Sequence, residues 1–343
     1  MGKQIKFGII GYGRIGQRHQ AIIDGHPDCQ LVTVCDVQEE VLKSVSAPIS
    51  TFTDISAQLA GSDPFDVLSI ATPNGLHAQH AIAGLRAGKH VVIEKPMGLS
   101  RKECEQVLFE ALQQDRQVFC VMQNRYSPPS VWLKELLQSK KLGQIHKVLI
   151  NCYWNRDGRY YQPGSWHGSL DLDGGTLFTQ FSHFIDMMFW LFGDVTNIQA
   201  KFSNLNHKDS IQFEDTGQIM FDFEHGGVGS FNYSTSVWDQ NLESSMTIIG
   251  ECGSVKVSGQ YMNEVVHCHI NNYVMPELAV SAPPNDYGGY QGSAANHHYV
   301  YQNVVDTLKG TGHIATNALE GMKVVDIIER MYQHRVCASL RNE

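Results

Sequence analysis

The chain has 343 residues, 42% hydrophobic and 18% charged, the make-up of an ordinary globular protein long enough for two domains. A formal net charge of −9 leaves no electrostatic footprint for nucleic acid and opposes docking on an acidic membrane surface. Eight cysteines stand singly, without a C-x-x-C pair, which argues against a disulfide framework or a zinc site and for no bound metal. The opening "MGKQIKFGIIG" runs into a strand without a signal-peptide apolar region, and no apolar run approaches the roughly 20 residues a bilayer span needs. A cytoplasmic protein without membrane or nucleic-acid partners is expected.

The first 125 residues alternate short apolar strands with amphipathic helical stretches. "IKFGII" (5–10) reads as a strand, followed by a glycine turn and a helix over about 15–23. "QLVTVCDV" (30–37) and "FDVLSIAT" (65–72) are further buried strands, and residues 76–89 form a helix that stops at Gly88. "HVVIEKP" (90–96) is a strand, Ser100 caps the next helix, and "QVFCVMQ" (117–123) is another strand. Continuous apolar strands separated by helices indicate a parallel sheet covered on both faces.

After Arg125 the pattern changes. A helix near 130–140 ends at Gly143, and "IHKVLINCYW" (145–154) begins an alternation that "QIMFDFE", "VGSFNYST", "SSMTIIG", "GSVKVSG" and "VVHCHI" continue. This predicts an open, mostly antiparallel sheet with one wet face. One long helical stretch (174–192) interrupts the strands, and helices over about 297–309 and 317–337 follow. The Gly/Pro/Ala-rich loop 276–296 is long enough to imply service to a site or an interface. The expected domains are 1–125, 126–316 as a substrate and oligomerisation domain, and a C-terminal helix within 317–343 packing back on the first.

"GYGRIG" (11–16) acquires meaning from its surroundings. It follows a strand, opens a helix, and Asp36 stands twenty residues beyond Gly16 at the end of the second strand. That is the dinucleotide context: Gly11 for the tight turn, Gly13 for close approach of the pyrophosphate, Gly16 for helix–strand packing. The helix N-terminus that Arg14 and Ile15 begin favours the anion. Asp36 accepts hydrogen bonds from ribose hydroxyls and repels a 2′-phosphate, and no Arg or Lys follows it before Lys43, so NAD is expected rather than NADP.

"ATPNGLHAQHAIAGLRAGKHVVIEKP" (71–96), "GQIHKV" (143–148) and "DGGTLFTQFSHFIDMMFWLFG" (173–193), together with "GYGRIG", resemble the Gfo/Idh/MocA oxidoreductases over nearly the whole chain. The resemblance implies a Rossmann domain followed by an α/β domain on an open sheet, and oxidation or reduction of a sugar or cyclitol hydroxyl. It implies that Lys95 polarises the reacting hydroxyl, that His183 is the general acid/base, and that Thr72, Pro73, Asn74, His77, Glu94 and Lys95 lie on the nicotinamide side. Many relatives carry D-x-x-x-H in the second-domain helix, and here the carboxylate position is Thr179. That departure, with "VMQNRY" (121–126) and "WNRDGRYYQPGSWHGSLDLDGG" (154–175), resembles the branch that oxidises nucleotide-linked uronic acids, the UDP-N-acetylglucosaminuronate 3-dehydrogenases of surface-polysaccharide biosynthesis. Where that branch carries Arg or Lys in a Y-Y…W-[RK]-G loop, this chain has His167.

Elementary chemistry agrees with these roles. Oxidising an alcohol needs a group to take the hydroxyl proton, and a histidine titrates near neutrality. A partly buried lysine stabilises a developing alkoxide. Thr179, His183 and Asp186 share one helix face by their spacing. Arg125, Arg156 and Arg159 are suited to carboxylate or phosphate, and Tyr126, Tyr160, Tyr161 and Trp166 to stacking on a sugar or base, with Asn124 beside them. The same residue types also line subunit interfaces. His267 and His269 lie on one strand face without a third ligand in register, while His297 and His298 open a helix beside the glycine-rich loop.

The expected function is NAD-dependent oxidation of the C3 hydroxyl of a UDP-linked N-acetylated uronic acid, by a homo-oligomer (dimer or tetramer). The alternatives are a free sugar or inositol dehydrogenase, an NAD-using glycosidase, and a cofactor-binding regulator without turnover.

Overall fold

The computed structural model describes residues 4–334. The chain forms two compact units: Met1–Met122 with His297–Val325, and Gln123–Asn296 with Asp326–Glu343.

The first unit is built on six parallel strands, β1 (Ile5–Ile10), β2 (Cys29–Cys35), β3 (Ser50–Phe52), β4 (Val67–Ile70), β5 (His90–Ile93) and β6 (Val118–Cys120). Their order is β3-β2-β1-β4-β5-β6, every pairing parallel, so the order reverses between β1 and β4. Open sheets of this kind bind ligands at that switch point. The connections are α1 (Arg14–Gly25), α2 (Glu39–Leu42), α3 (Ile55–Ala60), α4 (His77–Arg86) and α5 (Arg101–Gln114). Burial on both sheet faces explains the unbroken apolar runs: Phe7, Ile9, Val67, Leu68, Ile70, Val91, Val92 and Ile93 are inaccessible. Ser100 and Glu103 close a reciprocal capping box on α5, which fixes where that helix begins.

In the second unit, α6 (Pro128–Gln138) precedes seven strands: β7 (Ile145–Tyr153), β8 (Val195–Ser203), β9 (Thr216–Phe223), β10 (Val228–Ser234), β11 (Glu243–Gly250), β12 (Gly253–Ser258) and β13 (Glu264–Ile270). The order is β13-β12-β11-β7-β10-β9-β8, antiparallel except for β7 beside β10. Ile219, Phe231, Ile150, Met246 and Val257 run across the sheet in register and are buried, while the next row, Met220, Ser230, Leu149, Thr247, Lys256 and His267, faces outward. The apolar helix α7 (Ser182–Phe192) follows a π-helical stretch, Leu177–Phe181. A short hairpin, β14 (Pro284–Asp286) and β15 (Gln291–Ala294), structures the long glycine-rich loop.

Strand β8 was not among the expected strands. A register shift between Thr196 and Gln199, with Asn197 at φ 51°, breaks its alternation. The boundaries also differ from those expected at 125 and 316. Helix α8 (His297–Leu308) belongs to the first unit, where Tyr301 hydrogen-bonds Ser69 at 2.6 Å. Helix α9 (Ala318–Gln333) contributes Ala318–Val325 to the first unit and its last turns to the second, where Arg330 donates to the Val195 carbonyl at 2.6 Å. The part of the expected C-terminal helix beyond residue 334, with Cys337, lies outside the described residues. No helix among the described residues is long and apolar enough to cross a membrane.

Candidate active site

The glycine turn leaves β1 and starts α1, and its three glycines meet three different constraints. Gly11 has φ +85°, and a Cβ there would lie 2.6 Å from the Ala71–Thr72 backbone after β4. At Gly16 a Cβ would overlap the Gly11 carbonyl oxygen, so the helix packs on its own entry turn. Gly13 faces open space and caps α1 without a side-chain bond, leaving the helix N-terminus open to an anion. Arg14 is exposed and Ile15 half-buried beside it. Asp36 ends β2 and turns back to this loop: its Oδ2 accepts from Tyr12 N at 2.6 Å and its Oδ1 from Gln38 N at 2.9 Å. The residues present therefore fit a dinucleotide.

The ends of β4 and β5 hold the next group. His77 is buried, with Nδ1 2.6 Å from the Pro96 carbonyl and Nε2 2.7 Å from the Thr72 carbonyl, tying the two strand ends together. Burial holds it below the ordinary histidine pKa. Thr72 Oγ1 pairs with His80 Nδ1 at 3.0 Å, and burial pushes His80 down to about 4. Asn74 is buried in a short 3₁₀ turn after Pro73. Lys95 is half-buried at the end of β5. Glu94, expected beside the nicotinamide, is 7% exposed, with its carboxylate engaged within the unit by His19, His297 and the Lys95 amide.

In the second unit His183 opens α7 and is 3% exposed. The Gln123 amide donates to its Nε2 at 3.2 Å, which makes that nitrogen an acceptor. Thr179 gives its hydroxyl hydrogen to the Asp173 carboxylate, whose other oxygen accepts from Gly168 N at 2.8 Å. Asp173 is 1% exposed, and His167 Nδ1 lies 3.9 Å from its Oδ2. His167, at the expected Arg/Lys position, stacks on Tyr160 with centroids 4.2 Å apart and packs against the half-buried Trp166.

The arginines divide. Arg125 forms a buried bidentate pair with Asp186, Nε to Oδ2 at 2.9 Å and Nη2 to Oδ1 at 2.6 Å. Arg159 is exposed and pairs with Asp157 at 2.7 Å. Arg156 is buried among Trp154, Tyr160 and Tyr290, with its carbon 4.7–5.3 Å from their ring centres. It donates to Gln180 Oε1 at 2.7 Å and to the carbonyls of Asn155 and Gln291. No carboxylate of the described residues stands within ion-pair distance of it. Tyr161 belongs to a buried cluster with Tyr160 and Ile211. Tyr126 is half-buried, its phenol pushed up to about 12 by burial. Asn124 Oδ1 accepts from Ser293 Oγ at 2.6 Å, while its Nδ2 is buried without an acceptor.

Gln123, Asp173 and His19 carried no individual signal in the sequence. Their partners lie 60, 6 and 75 residues away, and only "Asp-Gly-Gly" before the helix marked any of them.

A doubly wound parallel sheet, a glycine turn at a helix N-terminus and a strand-end carboxylate define an NAD-binding oxidoreductase. The chain belongs to the Gfo/Idh/MocA oxidoreductase family: residues 5–122 match the oxidoreductase family, NAD-binding Rossmann fold, and residues 131–256 match the GFO/IDH/MocA C-terminal domain. It is similar to the crystal structure of the WlbA dehydrogenase from Bordetella pertussis in complex with NADH and UDP-GlcNAcA (31% identity, 97% of this chain and 96% of that one, TM-score 0.86). It is equally similar to the WlbA dehydrogenase from Chromobacterium violaceum in the same complex (30%, 97% and 94%, TM-score 0.87). Glucose-6-phosphate 3-dehydrogenase from Bacillus subtilis is 24% identical over 84% of this chain and 85% of its own length. The chain is thus an NAD-dependent oxidoreductase of the sugar-dehydrogenase type.

Proposed function

We propose that this enzyme oxidises the C3 hydroxyl of a UDP-linked N-acetylated uronic acid. The observation that carries the reading is the buried guanidinium of Arg156, which no carboxylate among the described residues neutralises. Its hydrogens go to neutral acceptors, so its charge is undiminished in a low-dielectric setting and favours an anionic substrate. Gln180, one turn ahead of His183, accepts from Arg156 and donates to Tyr160, which ties that field to the helix bearing the acid/base. The two similar dehydrogenases in complex with UDP-GlcNAcA support the nucleotide, and the glucose-6-phosphate 3-dehydrogenase supports the C3 position.

Bound NAD supplies the hydride acceptor. Gly13 and the N-terminus of α1 would hold its pyrophosphate, in a turn that Gly11 and Gly16 allow, and Asp36 its adenosine ribose. Lys95 stabilises negative charge developing on the substrate oxygen. His183 takes the hydroxyl proton at Nε2 as the substrate hydroxyl displaces the Gln123 amide from that lone pair. Asp173, through Thr179, supplies the carboxylate that the helix itself lacks.

The test is NAD reduction with UDP-uronates, free hexoses and inositols in parallel, on the wild type, Lys95→Met and His183→Asn. Turnover is expected with the UDP-uronate, and each variant is expected to lose about 10²-fold or more with NAD binding intact. Turnover of free polyols alone overturns the substrate assignment, and hydrolysis of an aryl glycoside without net NADH change would favour the glycosidase. Unchanged turnover in both variants removes the catalytic pair.

A further inference from the structure

One buried cluster in the first unit lies outside this chemistry. His19 from α1, Glu94 after β5 and His297 at the start of α8 are 0%, 7% and 2% exposed. Glu94 Oε1 lies 3.0 Å from His19 Nε2 and 3.4 Å from His297 Nε2, and Oε2 accepts the backbone N–H of Lys95 at 3.2 Å. Behind His19, Nδ1 lies 2.9 Å from Ser69 Oγ, which lies 2.6 Å from Tyr301 Oη.

The hydrogens at the carboxylate have one consistent direction. Hydrogen bonds from the two imidazoles hold the Glu94 carboxyl well below its ordinary pKa against its burial, so it is an ionised acceptor and both Nε2 atoms must donate. Behind it, His19 Nδ1 and the Ser69 hydroxyl share a hydrogen bond, and Ser69 shares another with Tyr301. His297 Nδ1 is buried without a partner, which suits the lone pair of a neutral ring and not a second N–H. Burial lowers the His297 pKa in the same sense. An ionised carboxylate held by two imidazoles thus stands directly before Lys95 in the chain. The other titratable groups facing it are Arg18 on α1, Cys29 on β2, His77 on α4 and Tyr301 on α8.

We propose that His19, Glu94 and His297 form a positioning cluster for Lys95: one carboxylate, fixed by two imidazoles, pins the lysine backbone and sets a buried anion on the residue directly before it. This rests on the catalytic reading of Lys95. Ser69 and Tyr301 hold the His19 ring from behind. The three ligand atoms lie within 4.8 Å of one another, a spacing that would also suit a small divalent cation in place of the shared protons, so metal content is one arm of the test.

The experiment measures kcat against pH for the full-length wild type, Glu94→Gln, Glu94→Asp and His19→Gln, with NAD affinity as the check on folding. Glu94 directly precedes Lys95 and its carboxylate reaches the lysine amide, and a nearby anion favours an ammonium, so Glu94→Gln is expected to move the alkaline limb to lower pH by about one unit or more. Glu94→Asp keeps the charge and is expected to keep the limb, and His19→Gln, which retains a donor to Glu94, to lie between. If Glu94→Gln fails to bind NAD, the His19→Gln profile decides alone. An unchanged limb in Glu94→Gln and His19→Gln, while Lys95→Met abolishes turnover, overturns the cluster's role. Full turnover in Lys95→Met instead removes the catalytic reading on which it rests. Stoichiometric divalent metal in the wild type, absent from His19→Gln, overturns the shared-proton arrangement.

Discussion

The hydroxyl of Thr179 donates to the carboxylate of Asp173, six residues earlier in the chain, so the turn ahead of His183 meets a carboxylate that its own sequence lacks. The positive-φ glycines Gly174 and Gly175 turn the chain between the two residues. Thr179→Val keeps the shape and removes the hydrogen, leaving a buried carboxylate one donor short. That is expected to cost about 1–3 kcal/mol of stability. If Asp173 supports the acid/base, Asp173→Asn lowers kcat by about 10-fold or more with NAD affinity unchanged. Wild-type kcat in both variants would confine the pair to a structural role.

Arg125 and Asp186 are 61 residues apart and form a bidentate pair at 4% and 1% side-chain exposure. Removing one partner leaves the other charge buried and unpaired. Asp186→Asn and Arg125→Leu are each expected to lose about 3–5 kcal/mol in urea unfolding. A variant of Arg125 with wild-type stability and a raised KM would return this arginine to the substrate.

Glu214 is buried in the second unit, where Tyr233 Oη and Tyr332 Oη both donate to its Oε1 at 2.7 Å. Burial outweighs those bonds and raises its pKa to about 7. A carboxyl whose folded pKa exceeds its unfolded value stabilises the fold below the unfolded pKa, and that contribution is lost as pH rises through the folded one. Wild-type stability is therefore expected to fall between about pH 4.5 and 7, by up to ~3 kcal/mol for this group. Glu214→Gln keeps an acceptor and removes the titration, so its melting temperature should exceed that of the wild type at pH 8 and converge with it below pH 5. A pH-independent difference would contradict the assignment.

The glycine turn separates folding from binding. A methyl at Gly16 meets the Gly11 carbonyl, whereas one at Gly13 meets nothing within 4 Å. Gly16→Ala is expected to destabilise by about 1–3 kcal/mol through overpacking, and Gly13→Ala to keep the melting temperature while weakening NAD by roughly tenfold. Equal melting temperatures with equal NAD affinities would remove the turn from the cofactor site.

The first unit was legible because its signals are local. A period-free apolar strand, three glycines and Asp36 follow one another within 32 residues, and each has its expected neighbour in space. The second unit's sheet was legible from alternation except at β8, where the bulge around Asn197 hides it. What local pattern did not reveal is pairing at a distance. Nothing near Arg125 in sequence announces its bidentate partner Asp186. Helix α8 looked like part of the second unit because Ser69, the partner of Tyr301, lies 232 residues earlier. The missing helix carboxylate was visible at Thr179, but its replacement by Asp173 depends on how two glycines turn the chain.

The most direct measurement is the ratio of kcat/KM for UDP-GlcNAcA to that for UDP-GlcNAc, which shares the nucleotide and ring and lacks the carboxylate, with NAD as the oxidant. An enzyme whose buried Arg156 favours the anion is expected to prefer the uronate by about 10²-fold or more, equivalent to roughly 2.7 kcal/mol. A ratio near one, or faster turnover of the neutral sugar, would contradict the account.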